Sequence, residues 1–348
     1  MKKLITENKW KKYLVNRASY QKTKNTKKKK VHFYIRKLAL YEKLHDYEDK
    51  KAQRTFTVLP APTNFSFIDN TDNVLEYLKT SEKHFRQKRG VTFDKSNVDI
   101  LTSDAIALFS AFLSGKEKFR GNSPKKENLK QLFEESGFYN HVRAQRKYKN
   151  KENKEGNLLH KESNNIVSPD VAAEAVIKGI KHTGLTLSKD SDPVYNTLIE
   201  CMQNTNNHAS GPTRYGNCNW WLYVYNDPVE NITKYSFVDL GVGIFASLVA
   251  KGFVKKFFKT ISALPNIKLV DDFLNGKIVS REEKDNEIRG KGIVQIIEYA
   301  KSDYFKRFYI IANDIKINVK TDERWQLNSN MNGTFLYWEL QNNKLNGN

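Results

Sequence analysis

Residues 199–204 have the sequence IECMQN, and they open a stretch, ending at Leu340, that carries four short motifs in a fixed order. The motifs are Glu200-Cys201-Met202-Gln203-Asn204, Asp239-Leu240-Gly241-Val242-Gly243-Ile244, Arg289-Gly290-Lys291-Gly292-Ile293 and Asn332-Gly333-Thr334. Each motif alone is a weak signal. Their order along one chain favours a nucleotide pocket, which in turn indicates the fold of this half of the protein.

The first motif lies on a predicted helix, because Asp192-Pro193 is a typical helix start and apolar residues follow at helical spacing. Glu200 and Asn204 are four residues apart, so on a helix they project from one face, one turn apart. A carboxylate can deprotonate a water, and an amide can bind a magnesium ion that also binds phosphate oxygens. An ordinary solvated helix face is the alternative for this pair.

The second motif follows KYSFVDL, residues 234–240, which predicts a strand that ends near Asp239. A carboxylate at the end of a strand can accept a hydrogen bond from an exocyclic amine. Gly241 and Gly243 let the backbone approach a flat ring closely. A tight turn with a surface aspartate is the alternative.

In the third motif, Gly290, Lys291 and Gly292 precede an apolar helix predicted from Ile293 onward. Glycines at a helix start leave backbone N–H groups free to face phosphate, and Lys291 adds a cation. The spacings of the P-loop and of the dinucleotide fingerprint are both absent.

These residues, taken in order, resemble the GHKL ATP-binding family of gyrase, the heat-shock chaperone, histidine kinases and the mismatch-repair ATPase. The resemblance covers residues 165–342. It implies the Bergerat α+β sandwich, a mixed sheet covered by helices on one face, which binds ATP and Mg2+. The implied catalytic residues are Glu200, which would polarise the nucleophile, and Lys291. The implied nucleotide contacts are Asn204, which would also bind Mg2+, Asp239 at the adenine amine, Gly241, Gly243, Ile244, Gly290, Lys291, Gly292, Ile293 and Thr334.

Residues 245–288, between the two glycine motifs, correspond in this resemblance to a lid over ATP. A long insert beside a phosphate site is expected to close on the nucleotide and to exclude water. The sequence predicts an apolar helix over residues 245–258. Arg281 and Arg289 join Lys291 as candidate cations for the γ-phosphate, and surface charges are the alternative for both arginines.

The composition indicates a two-domain protein of the cytoplasm with an anionic partner. The chain has 348 residues, of which 39% are hydrophobic, so it can bury two modest cores. Its two cysteines make neither a disulfide framework nor a metal site. No run of eighteen apolar residues predicts a membrane span. The net charge of +20 exceeds what a nucleotide pocket explains.

Residues 1–54 form a basic, partly helical arm in this interpretation. They contain 18 Lys or Arg and 5 Asp or Glu, which gives 18 − 5 = +13 of the total charge. Aromatic residues are interleaved with the cations. Such a pattern suits a nucleic-acid backbone with bases that can stack, and a soluble, partly disordered arm is the alternative.

Residues 55–145 alternate predicted strands and helices, which indicates a small α/β domain. The segment VTFDKSNVDILTSDAIALFSAFL resembles the STAS domain of anti-sigma-factor antagonists, which accept phosphate on a serine at the start of a helix. Ser103 is the candidate phosphosite, although Asp104 stands where that family has glycine and Ser103 also suits a helix N-cap. Residues 146–165 are predicted to be a charged linker, followed by the ATP-binding domain at 166–345.

Three functions remain open at this point. The first is a magnesium-dependent ATPase whose nucleotide state controls contacts with a protein partner through the STAS-like domain. The second is an anti-sigma-type serine/threonine protein kinase acting on a STAS domain, which the pattern E-x-x-x-N-x-x-x-H ending at His208 resembles. The third is a nucleic-acid-binding module switched by ATP. The resemblance also makes a homodimer an expectation.

Overall fold

The structure, a computed structural model, describes residues 56–142, 157–162, 166–208, 219–250, 265–275, 278–280 and 292–342, together with positions 12 and 39. Over these residues the chain is a mixed α/β protein. None of the helices within these ranges is long and apolar enough to cross a membrane.

The strands are β1 (Phe56–Pro60), β2 (Asn64–Phe65), β3 (Gly90–Asp94), β4 (Ile100–Leu101), β5 (Phe119–Gly121), β6 (Leu158–Glu162), β7 (Trp220–Asp227), β8 (Ile232–Asp239), β9 (Leu248–Ala250), β10 (Ile278–Ser280), β11 (Phe305–Asn318) and β12 (Glu323–Leu340). The helices are α1 (Thr71–Arg86), α2 (Ser103–Leu113), α3 (Glu127–Glu135), α4 (Phe138–His141), α5 (Pro169–Thr183), α6 (Leu187–His208), α7 (Ile244–Ser247), α8 (Val270–Leu274) and α9 (Gly292–Ala300), with a 3₁₀-helix at Asn266–Leu269.

A five-stranded sheet in the order β11-β12-β8-β7-β6 forms the centre of the protein, and every pair in it is antiparallel. The expectation of a mixed sheet is therefore wrong for the described strands, because hairpin connections pair β7 with β8 and β11 with β12. β7 and β8 pair as a hairpin, and both are rich in the aromatic and β-branched residues that suit a pleated surface. Asp227 holds the turn between them, because its Oδ1 accepts the N–H groups of Val229 and Glu230 at 3.0 and 3.2 Å. β8 ends at Asp239, which confirms the predicted strand end.

Helices α5, α6 and α9 share a buried apolar cluster with one face of this sheet, as the sequence predicts. Gly179 lets α5 lie directly on the sheet, because a Cβ atom at that position would sit 1.9 Å from the Tyr235 hydroxyl. The same hydroxyl donates a hydrogen bond to the carbonyl of Ala175 at 3.0 Å. These two contacts fix the distance between α5 and the sheet.

The N-terminal α/β unit, residues 56–142, covers the other face. Its three-stranded parallel sheet has the order β1-β3-β5, and β2 pairs with β4 in parallel. The sequence predicts a helix over residues 103–113, and α2 confirms these bounds. It packs against β7 and β8. The apolar residues of the unit and those of the second sheet face form one buried cluster.

This arrangement corrects the expectation for the tryptophan pair at the start of β7. Trp220 and Trp221 point to opposite faces of the strand, so the sequence predicts one in the core and one facing solvent or a partner. Both are buried, at 0% and 1% exposure. Trp221 lies in the cluster shared with the N-terminal unit, which a reading of the C-terminal half alone does not reveal.

The charged segment 146–165, predicted to be a linker, contains a strand. Leu158–Glu162 forms β6 and pairs antiparallel with β7 at the edge of the central sheet. Leu159 is buried, whereas the flanking charged residues remain partly exposed. An edge strand tolerates charges because one of its sides has no neighbouring strand.

Candidate functional site

The first and third sequence motifs meet at the start of helix α9, and the second and fourth meet at the end of β8. Gly292 is the first residue of α9, and it contacts α6 so closely that a Cβ atom there would lie 2.4 Å from Glu200 Oε2. The same atom would lie 3.1 Å from Asn204 Oδ1. Residues separated by about ninety positions in sequence are thus in contact, and a side chain at position 292 would have to displace the Glu200 carboxylate.

Glu200 is half-buried on α6, and burial raises the pKa of its carboxyl. None of the ion pairs formed among the described residues includes it. A carboxylate in such surroundings is a better proton acceptor than one in water, because desolvation disfavours its charged form.

Asn204 lies one turn further along α6, and its Nδ2 atom is buried without a hydrogen-bond partner among the described residues. Buried amides are usually satisfied, so an orphaned one indicates a group that the protein itself does not supply. The first N–H groups of α9, which begins beside this amide, also have no intrahelical acceptor. Amide and helix start together form a polar surface that suits an anion and its metal.

Asp239 lies at the end of β8, and its side chain is buried. Its Oδ1 accepts the backbone N–H of Gly241 at 2.9 Å. Burial raises its pKa from 3.8 to about 6, although hydrogen bonds from Gly241 and Thr334 act in the opposite direction. Thr334 is its partner across the β8-β12 pair. A buried carboxylate with few donors has capacity to accept a further hydrogen bond from a ligand.

The glycines of the second and fourth motifs close the space around Asp239. A Cβ atom on Gly333 would lie 2.0 Å from the Asp239 carbonyl oxygen, and one on Gly243 would lie 2.8 Å from the Gly333 carbonyl oxygen. Both glycines have positive φ, 107° and 84°, which other residues adopt at a cost. The backbone itself therefore requires glycine at both positions.

Both parts of the site lie near one thiol. Cys201 follows Glu200, is buried and carries no disulfide. Its pKa is raised by burial and, in addition, by the negative charges of Glu200 and Asp239. Both carboxylates are thus close enough to one sulfur to act on it electrostatically, which joins the helix motif to the strand motif.

The structure also brings in Asn313, a residue that the motifs do not include. Its amide contacts the segment after Asp239, with Nδ2 donating to the Val242 carbonyl at 3.0 Å. The signal in the sequence is a polar Asn-Asp pair that interrupts the apolar run of β11, and periodicity alone does not assign a partner to it.

Several predicted site residues are placed only in part. Ile244 and Ile293 are half-buried and pack against the apolar cluster between the helices and the central sheet, so they contribute to packing beside the site. Gly290, Lys291, Arg281 and Arg289 lie outside the described residues, and the structure describes only the backbone at His208.

The predicted lid, residues 245–288, differs from its expected form where it is described. The helix expected over residues 245–258 ends at Ser247, and Leu248–Ala250 forms a strand that pairs with β10. Val249 and Val279 are register partners in this pair, and β-branched residues have a high propensity for strands. Phe245 contacts Phe273 with ring centroids 5.3 Å apart, so the start of the segment lies against α8.

Ser103, the candidate phosphosite, is the first residue of α2 rather than its N-cap, which is Thr102. It is 3% exposed. Next to it, Asp104 Oδ2 accepts the N–H groups of Phe67 and Ile68 at 2.7 and 2.9 Å. Asp104 therefore holds the turn before α1, and Ser103 is enclosed with it.

The described residues contain no group of three or more His, Cys, Asp and Glu side chains that could hold a metal ion. A magnesium ion bound by Asn204 would therefore need phosphate oxygens and water for most of its ligands, which is a usual arrangement for this ion. Comparison of the chain with family models, with curated proteins and with solved structures finds no match.

Proposed function

We propose that this chain binds ATP with magnesium and hydrolyses it, in a domain of the GHKL type. The observation that carries the proposal is the convergence of Glu200, Asn204 and Gly292 at the start of α9. Asp239, Gly333 and Thr334 close the other end of the same region.

Each group has a distinct task in the proposed reaction. Asp239 accepts a hydrogen bond from the exocyclic amine of adenine, and Thr334 lies beside it. The N–H groups at the start of α9 face the phosphates. Glu200 takes the proton from the attacking water, for which its half-buried position and raised pKa suit it.

Asn204 would hold the magnesium ion through its amide oxygen, and its unpaired Nδ2 would be free to donate a hydrogen bond to a phosphate oxygen. A bound magnesium ion supplies positive charge that offsets the charge developing on the phosphate oxygens. The geometry of Glu200 and Asn204, one helical turn apart, lets the first aim a water while the second fixes the metal.

A protein kinase would use the same pocket, and the position of Ser103 limits which substrate it could act on. Ser103 lies in the cluster on one face of the central sheet, whereas Glu200 lies on a helix that covers the opposite face. A phosphoryl transfer between them within one chain would have to cross the sheet. A kinase function therefore requires a separate substrate protein.

Nucleic-acid binding by the basic arm at residues 1–54 is a further candidate function.

The test compares binding with turnover in the Glu200→Ala variant. Isothermal titration with ATP and magnesium should give similar dissociation constants for the wild type and the variant, because Glu200 acts on water. Phosphate release should fall by about a hundred-fold or more, the usual contribution of a general base. Label from γ-phosphate that stays on protein would favour a kinase, and absence of binding by the wild type would refute the proposal.

A further inference from the structure

Asn313 lies in β11 at a break in the pairing with β12. Ala312 is paired with Thr334, whereas Asn313 is paired with Met331, so the register shifts between two consecutive residues. Asn313 has a φ of 55° and is 7% exposed. A positive φ in a strand is uncommon, and asparagine is among the few residues that adopt it readily.

The side chain of Asn313 binds both ends of the segment that follows Asp239. Nδ2 donates to the Val242 carbonyl at 3.0 Å, and Oδ1 accepts the N–H of Ala246 at 3.1 Å. Ala246 lies in the short helix α7, so its N–H has no acceptor within that helix. One amide thus spans the turn from Val242 to Ala246 and satisfies a group at each end.

Gly243 lies directly against this amide. A Cβ atom on Gly243 would be 2.6 Å from Asn313 Oδ1 and 2.8 Å from Nδ2. The φ of Gly243 is 84°, so the turn needs glycine both for its backbone and for room beside Asn313. The turn at residues 242–246 packs closely against the Asn313 amide, so a shift of either one would break the contacts between them.

The strand that carries Asn313 is well fixed on the side of Asp239. Ala312, the preceding residue, is fully buried and pairs with Thr334, which in turn pairs with Asp239. Asp314, the following residue, accepts a hydrogen bond from Asn266 Nδ2 at 2.5 Å. The hydrogen bonds of Asn313 therefore hold the turn at residues 240–246 in a fixed position relative to β11.

We propose that Asn313 is a positioning residue that holds the turn at residues 240–246 in the shape required to admit a nucleotide beside Asp239. This inference rests on the proposed ATP-binding function. Asn313 acts through the turn, so its loss should weaken ATP binding while the rate of turnover at saturating ATP changes little. Residues that aim the nucleophile, such as Glu200, have the opposite profile.

The test uses Asn313→Gly, which removes the amide and still permits a positive φ. Amide hydrogen exchange of the unliganded protein should become faster at Gly241–Ala246, and the dissociation constant for ATP should rise by roughly thirty-fold, as expected for two lost hydrogen bonds. Asn313→Asp keeps the acceptor for Ala246 but places a carboxylate oxygen against the Val242 carbonyl, so its affinity for ATP should be lower than that of the wild type. An affinity equal to that of the wild type would contradict the role of the bond to Val242.

Asn318→Ala is the matched control, because Asn318 is a buried asparagine on the same strand whose side chain bonds Tyr309 and Lys320 instead. It should leave exchange at residues 241–246 unchanged. Unchanged exchange in Asn313→Gly, or an equal loss of affinity in Asn318→Ala, would overturn the positioning role. Faster exchange in a protein whose wild type binds no ATP would instead overturn the proposed function and, with it, the link from Asn313 to a nucleotide.

Discussion

Replacing Asp239 with asparagine should make the unliganded protein more stable and its nucleotide binding weaker. The carboxylate is buried at the end of β8, and its pKa rises from 3.8 to about 6. Asparagine has nearly the same shape and keeps an oxygen that can accept the N–H of Gly241. The Thr334 hydroxyl can rotate to accept from the new amide group. The change therefore removes a buried charge without removing the contacts around it.

The size of the effect follows from the pKa shift. A rise from 3.8 to about 6 is roughly two units, and each unit corresponds to about 1.4 kcal/mol, so the charge destabilises the folded state by about 3 kcal/mol at neutral pH. The folded state binds the proton more tightly than the unfolded state. Wild-type stability from this group is therefore fully present below pH 3.8 and is lost as the pH rises to about 6.

Urea denaturation from pH 4 to pH 8 should show this difference directly. At pH 7.5, where the carboxylate is charged, Asp239→Asn should raise the free energy of unfolding by about 1 to 3 kcal/mol. Near pH 4 the two proteins should be about equally stable. Calorimetric titration should show an affinity for ATP that is lower by about ten- to a hundred-fold, because a charge-assisted hydrogen bond is lost.

Two results would refute this reasoning. A variant that is less stable than the wild type at pH 7.5 would mean that the hydrogen bonds to the carboxylate outweigh its burial. A variant with higher stability and unchanged affinity for ATP would mean that the buried charge serves no nucleotide.

Two further changes test the packing of the site and of the N-terminal unit. Gly292→Ala places a methyl group 2.4 Å from Glu200 Oε2, so turnover should fall by at least ten-fold in a phosphate-release assay. Gly115→Ala is the control for lost stability, because its φ of 75° strains the variant while its methyl group meets nothing within 4 Å; an equal loss of turnover there would contradict the contact. Lys95 is 6% exposed, and burial lowers its pKa from 10.5 to about 8, so the folded state loses the proton before the unfolded state does. Wild-type stability should therefore rise with pH between about 8 and 10.5. Lys95→Met should raise the free energy of unfolding at pH 7, measured by urea denaturation, by about 1 to 3 kcal/mol. A lower free energy of unfolding in the variant would show that the contact of the amine with the rings of Phe109 and Phe133 stabilises the fold more than burial of the amine destabilises it.

The sequence by itself determined the local parts of this protein. Apolar spacing gave the bounds of α2 and the end of β8 at Asp239, because both depend on neighbouring residues along the chain. The four-residue spacing of Glu200 and Asn204 already places them on one face of a helix. These features need no information about distant segments.

Only the tertiary structure decided what lies against these elements. Trp221 is buried because the N-terminal unit covers its face of the sheet, and the segment with Leu159 is a strand because β7 offers it an edge. Asn313 reaches the turn at residues 240–246 from about seventy positions away in sequence. Such contacts join residues that are far apart in sequence, so the periodicity of a short segment does not predict them. Strand pairing and burial depend on how the whole chain packs.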